Sequence, residues 1–228
     1  MSLPFDEYSL KARIWPAFIV CSPIFISYPV VITHFFEPSH VTVASIMGLA
    51  ILALMSEVIR YFGVKEEKNL LKQWGGMPST KVMRWADKQC SREYKQKMHA
   101  LVKEKFGILL SSEHEEKSDS DVADKKITEA FLILRNRLRD SKKGSVLQDN
   151  INYGFSRNLF GARWIWFGFA FIGVISISLT KGTNILQLIL AVLYVMVIVL
   201  IEWGIMKKHV EHCAMRYVES AWNQLLTL

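Results

Sequence analysis

The sequence predicts an all-α membrane protein, with four transmembrane helices as two hairpins flanking a mainly helical cytoplasmic domain. Three observations predict it. Four apolar stretches are long enough to cross a bilayer, which takes about 17–25 mostly apolar residues. None of the four carries an ionisable residue in its central portion. The charges gather instead in the middle of the chain, where strand-like alternation is absent. Of 228 residues, 51% are hydrophobic and 21% charged, and the formal net charge is +7. That excludes a disordered chain, which needs low hydrophobicity. With 12 Gly, 6 Pro and 3 Cys, a collagen and a disulfide scaffold are excluded too.

The first apolar stretch runs from Ile14 to Phe36 and the second from Val41 to Ile59. Lys11 and Arg13 precede the first, as in a signal peptide. But the run exceeds a usual signal core, and no small-x-small cleavage site follows it. An uncleaved hairpin over 1–63 is the better reading. The third stretch, Trp164 to Thr180, and the fourth, Ile185 to Met206, form a second hairpin over 162–206. A cytoplasmic C-terminal helix, 207–228, follows.

Orientation comes from the flanking cations. The connection from His34 to His40 holds no Lys or Arg, and that from Lys181 to Asn184 holds only Lys181. Lys11, Arg13, Arg60, Lys65, Lys68, Arg157, Arg163, Lys207 and Lys208 crowd the other side. Both termini and the central block are therefore expected in the cytoplasm. Trp15, Trp164, Trp166 and Trp203 fall at the same inner-face ends, where amphipathic rings favour the headgroup level. Cys21 lies in the first span, and Cys90 and Cys213 lie on the cytoplasmic side. With no C-x-x-C pair, they read as structural thiols.

The central domain, 64–161, holds 20 Lys plus Arg against 14 Asp plus Glu from Val64 to Gly161. Its first residues, Glu66 to Trp74, extend the second span as helix. Gly75-Gly76-Met77-Pro78 breaks it, and Ser79 or Thr80 caps a long charged helix from Lys81 to Phe106. A short hairpin around Phe106–Leu110 is the alternative there. The acidic, serine-rich Ser111–Asp124 reads as a solvated or disordered loop. Lys125–Asp140 reads as a helix with Ile127, Ala130, Phe131, Leu134 and Leu138 on one buried stripe. Ser141 to Ser145 turns the chain, and Val146–Arg163 leads back to the membrane.

Several motifs carry chemistry beside a plainer reading. Trp74-Gly75-Gly76-Met77-Pro78-Ser79-Thr80 offers exposed N–H groups to an anion, with Lys81 and Arg84 near. It also reads simply as an elbow. Asn152 to Arg163 mixes Tyr153, Phe155, Arg157 and Asn158 as base-and-phosphate sites do. The same mix suits an interfacial helix. Arg135, Arg137 and Arg139, with Lys142 and Lys143, form a basic run. It suits a solvated helix end, anionic lipid, or an anionic ligand. Glu57 and Glu202 lie near the inner ends of spans, with Arg60 placed to pair with Glu57. If subunits ring a pore, these acids line its cytoplasmic mouth and favour cations, with Ser45 as further polar lining. They equally well reach the interface. His209, His212 and Cys213 lack a fourth ligand nearby, so no metal site is expected. No G-x-S-x-G, H-E-x-x-H or Rossmann fingerprint occurs. Neither catalysis nor a cofactor is expected.

Two of these stretches share a resemblance. Leu70-Leu71-Lys72-Gln73-Trp74-Gly75-Gly76-Met77-Pro78-Ser79-Thr80-Lys81-Val82-Met83-Arg84 is similar to an "LW..WGG.PTT..LR" pattern, and Asn152 to Arg163 to "YGF.RNL.G.R". Both resemble small four-span membrane proteins of bacterial phage-defence loci, most of all the Hailong membrane effector family, and more loosely the Kiwa membrane component. Leu71 stands where an aromatic is expected, and Ser79 where Thr is. The resemblance covers about 30 residues closely. It implies a homo-oligomeric channel, a tetramer, in the bacterial inner membrane. It further implies a nucleotide or oligonucleotide second messenger, made by a partner nucleotidyltransferase and bound at the cytoplasmic domain. Stable duplex DNA binding is not expected. The alternative is a membrane scaffold or sensor whose basic surface recruits a cytoplasmic partner protein.

Overall fold

The computed structural model describes residues 6–24, 41–140, 144–179 and 185–227, with the backbone alone at 41–45, 139 and 140. The end of the first apolar stretch, both short connections, and the side chains of Ser45 and Arg139 lie outside the described residues.

Every element described is helical. The first run, α1, joins Glu7–Ser9, a π-helical Leu10–Ile14 and helix over 15–24. Asp6 caps it by accepting the Ser9 N–H at 2.8 Å. Next, α2 spans Val41–Gln73 without a break, as the sequence expects. It ends where Gly75 (φ 75°) and Gly76 (φ 126°) take backbone angles that side-chain-bearing residues avoid.

The long helix expected over Lys81–Phe106 is two helices. Pro78–Lys81 (α3) is one turn, entered through an extended Met77 with Pro78 in its first turn. Ser79 and Thr80 do not cap it; both are buried. Arg92–Phe106 (α4) starts afresh, with the Ser91 hydroxyl accepting the Tyr94 N–H at 3.2 Å. Gly107, at φ 71°, ends it, and no strand follows at Phe106–Leu110.

The acidic segment is not a loop but helical. It folds as Glu113–Ser118 (α5) and the start of Ser120–Asp140 (α6). Ser112 and Glu115 cap α5 reciprocally, a pattern visible as S-x-x-E. On α6, Ile127, Ala130, Phe131, Leu134 and Leu138 are all buried, so the stripe stands. The chain continues as Ser145–Gly161 (α7) and Arg163–Leu179 (α8). Then come Ile185–Val199 (α9), a π-helical Leu200–Ile205, and Met206–Gln224 (α10).

Two helical runs are long and apolar enough to cross a membrane, Ile46–Lys81 and Ile185–Gln224. A third candidate is α7 with α8, bent by 56° at Ala162. Alone, the 17 residues of α8 rise only about 26 Å, against roughly 30 Å of hydrocarbon.

The chain divides into two compact units. A span-bearing unit comprises Met1–Glu67 and Ile151–Glu211. A charged unit comprises Lys68–Asn150 and His212–Leu228. The charged unit has its own core, in which Met83, Met98, Val102, Ile127 and Leu134 meet Val218 and Trp222 of α10 and Leu225 just beyond it.

Candidate functional site

The two motifs fall in different units. In the charged unit, the elbow closes on itself. Lys81 Nζ donates to the Trp74 carbonyl at 3.4 Å. Trp74 is buried, and its indole N–H has no acceptor among the described residues. Open space surrounds both glycines. The anion reading loses part of its basis, because α3 is only four residues and its dipole is correspondingly small.

Beyond α3, the irregular segment 82–91 is held by partners distant in sequence. Lys95 is 2% exposed. Its ammonium donates to the Arg84 carbonyl at 2.6 Å and also to the Asp87 carbonyl. Glu116, also buried, accepts the Trp85 and Ala86 N–H groups at 2.9 and 3.0 Å. Trp85 Nε1 donates to the Ser111 carbonyl at 2.8 Å. His99 lies 4.6 Å from the Trp85 ring centroid and 3.1 Å from the Met83 carbonyl. Burial lowers its pKa below the ordinary histidine value. Beside this lattice lies a cavity of about 300 Å³, lined by Trp85, Lys88, Arg92, Lys95, Cys90 and two acids, Asp87 and Glu113. Arg92 pairs with Glu113 at 2.9 Å. Burial raises the Cys90 thiol pKa, and burial together with Cys90 and Glu219 pushes Tyr94 up to about 12.

Of the expected basic contacts, Arg84 is committed to Asp124 through its guanidinium and to the Ser120 carbonyl at 3.3 Å. Arg137 is exposed, lies 4.8 Å over the Phe106 ring and donates to the Lys105 carbonyl at 3.2 Å. Arg135 and Lys81 are exposed.

In the span-bearing unit, the Asn152–Arg163 stretch is used for packing. Gly154 lies against Tyr8 and Ala12 of α1. Tyr153 donates its hydroxyl to Glu67 of α2, and Arg157 pairs with the same carboxylate at 3.1 Å. Asn158 is buried and donates to the Ala12 carbonyl, on the π-helical segment, at 2.7 Å. Gly161 meets Gly63, and Arg163 pairs with Glu66 at 2.9 Å. Tyr153, Arg157 and Asn158 therefore spend their polar groups on α1 and α2.

The two acids differ. Glu57 is exposed and pairs with Arg60 at 3.0 Å and with Arg13 at 3.7 Å. Glu202 is 1% exposed, inside the protomer, on the π-helical Leu200–Ile205. Trp15, Trp164 and Trp203 are exposed. Trp166 is not; it is buried and donates to Tyr194 at 3.3 Å. Cys213 is buried whereas His209 and His212 are exposed. Among the described residues no group of metal-ligating side chains forms.

No protein-family model matches the chain, and no curated protein or solved structure matches it. The residues that sequence reasoning missed are Lys95, Glu116, Trp85 and His99. Their only signal was the capping pattern at Ser112, which places Glu116 on a helix.

Proposed function

We propose that the chain is a ligand-gated membrane channel or pore-forming effector of a bacterial antiviral defence system. In this reading it crosses the inner membrane four times as two hairpins, both termini are cytoplasmic, and copies assemble as a tetramer. An anionic nucleotide or oligonucleotide from a partner nucleotidyltransferase binds the charged unit and opens the pore.

One observation carries the proposal. Each junction between the units falls inside an unbroken helix: Glu67/Lys68 in α2, Asn150/Ile151 in α7 and Glu211/His212 in α10. The run that begins in the fourth apolar stretch ends by giving Val218 and Trp222 to the charged unit's core. A ligand that repacks that core therefore pulls on helices continuous with apolar stretches. It gates only by binding the open arrangement more tightly than the closed one. Exposed Arg135, Arg137 and Lys81 supply phosphate contacts. Glu57, on the surface of the span-bearing unit, lines the mouth and favours cations.

Calorimetric titration with short oligonucleotides tests the ligand half. Arg135→Glu with Lys81→Glu should weaken binding by about a hundredfold or more, since each charge-assisted contact contributes about 1.5–3 kcal/mol. Unchanged affinity in the folded double variant would remove these residues from the site.

A further inference from the structure

Glu202 is the feature that the packing of the span-bearing unit does not explain. Its residue is 1% exposed. Both carboxyl oxygens are buried, and neither has a hydrogen-bond partner among the described residues. Buried carboxylates are ordinarily paired or hydrogen-bonded, because an unpaired charge away from water is far costlier than the neutral acid. The residue also sits on a π-helical segment, a local departure from the α-helix that recurs at functional sites.

The charged surroundings are few. The π-helical segment has no other ionisable side chain, and the next along the chain, Lys207 and Lys208, are exposed. On α9, the Tyr194 hydroxyl is shared with Ser22, at 2.8 Å, and Trp166. From α8, Arg163 is the cation whose field reaches the carboxyl. Yet Arg163 is engaged elsewhere. It pairs with Glu66 of α2 at 2.9 Å, donates to the Phe160 carbonyl at 3.0 Å and lies 4.2 Å over the Phe160 ring. One guanidinium thus acts on two acids and pairs with one of them.

We infer that Glu202 is a proton-binding site inside the span-bearing unit, which holds its proton while Arg163 pairs with Glu66 and releases it to water when Arg163 turns to Glu202. The transfer is a simple acid dissociation. The proton leaves the carboxyl oxygen, and the carboxylate formed takes the guanidinium as counter-ion. The Glu66 side chain is 22% exposed, so its carboxylate keeps partial access to water. The inference uses contacts within one unit and does not depend on the ligand proposed above.

Infrared spectroscopy of the full chain in lipid vesicles tests it. At neutral pH the wild-type protein should show the carbonyl band of a protonated carboxyl, and Glu202→Gln should lack it. Glu66→Gln, which frees Arg163, should weaken the band. In parallel, dicyclohexylcarbodiimide, which adds to protonated carboxyls in apolar surroundings, should label Glu202 and leave Glu57, Glu66 and Glu67 unmodified. Identical spectra for wild type and Glu202→Gln would overturn the site. A band lost in Glu202→Gln but unchanged in Glu66→Gln would overturn the exchange of partners.

Discussion

Gly161 and Gly63 bring α7 and α2 into backbone contact: a Cβ placed on Gly161 falls 2.5 Å from the Gly63 Cα. Backbone atoms cannot move aside as a flexible side chain can. The helices must part, and with them the Arg157–Glu67 pair on the same faces.

Gly161→Ala and Gly63→Ala should therefore each destabilise the protein by about 1–3 kcal/mol, the usual range for overpacking. Gly168→Ala is the control, because open space surrounds that position. It should be neutral or slightly stabilising, since Ala is the better helix former. Thermal unfolding in detergent measures all three. Equal midpoints for Gly161→Ala and Gly168→Ala would disprove the close crossing.

The same interface predicts a contrast between ion pairs. Arg157 and Glu67 side chains are 14% and 21% exposed, whereas Arg60 and Glu57 are 45% and 59% exposed. A double-mutant cycle with Gln at 67 and 157 should give a coupling of about 1–3 kcal/mol. The cycle at 57 and 60 should give roughly 0.2–1 kcal/mol and lose it in high salt. Reversed magnitudes would contradict the assigned burial.

Lys95 predicts a large loss of stability in the charged unit. Lys95→Met keeps the length and removes the ammonium from the Arg84 and Asp87 carbonyls. Hydrogen bonds from a charged donor contribute about 1.5–3 kcal/mol each. A loss of about 2–4 kcal/mol is expected in denaturant unfolding. A change within about 0.5 kcal/mol, the range of ordinary surface substitutions, would show that segment 82–91 does not depend on it.

His99 predicts a pH dependence. Its folded-state pKa lies below the ordinary value because burial disfavours the imidazolium. As pH falls through about 6.5, the unfolded chain takes up a proton that the folded chain refuses. The unfolded state is then favoured, so stability drops from pH 7 toward the folded-state pKa. His99→Gln, which does not titrate, should flatten unfolding midpoints across pH 7 to 5.5. An undiminished slope in that variant would assign the effect to other groups.

These particulars show what was legible in the sequence. The α6 stripe was plain because Ile127 through Leu138 repeat at helical spacing, and periodicity is a local signal. The break between α3 and α4 was hidden. Lys95 and Glu116 hold it, and Glu116 lies 31 residues beyond Trp85, whose N–H it accepts. The charged helix pattern runs straight through the break. Acidity made Ser111–Asp124 look like a loop, although its capping pair was on view at Ser112 and Glu115. The candidate ligand residues were ambiguous in the sequence for a chemical reason. Tyr, Arg and Asn serve a nucleotide and a helix crossing with the same donors and rings. Only the partners, Glu67 and the Ala12 carbonyl, separate the two uses. The burial of Glu202 was likewise invisible, because helical phase across a π-helical segment cannot be read from spacing alone.

The central claim is that a ligand on the charged unit opens a conducting path. Planar-bilayer conductance of the purified full chain, with and without short oligonucleotides and cyclic nucleotides, tests it most directly. The account predicts current that appears with one ligand class and is lost in the Arg135→Glu, Lys81→Glu double variant. Silence with every ligand, from protein shown to be folded and inserted, would contradict it and favour a scaffold that recruits a cytoplasmic partner.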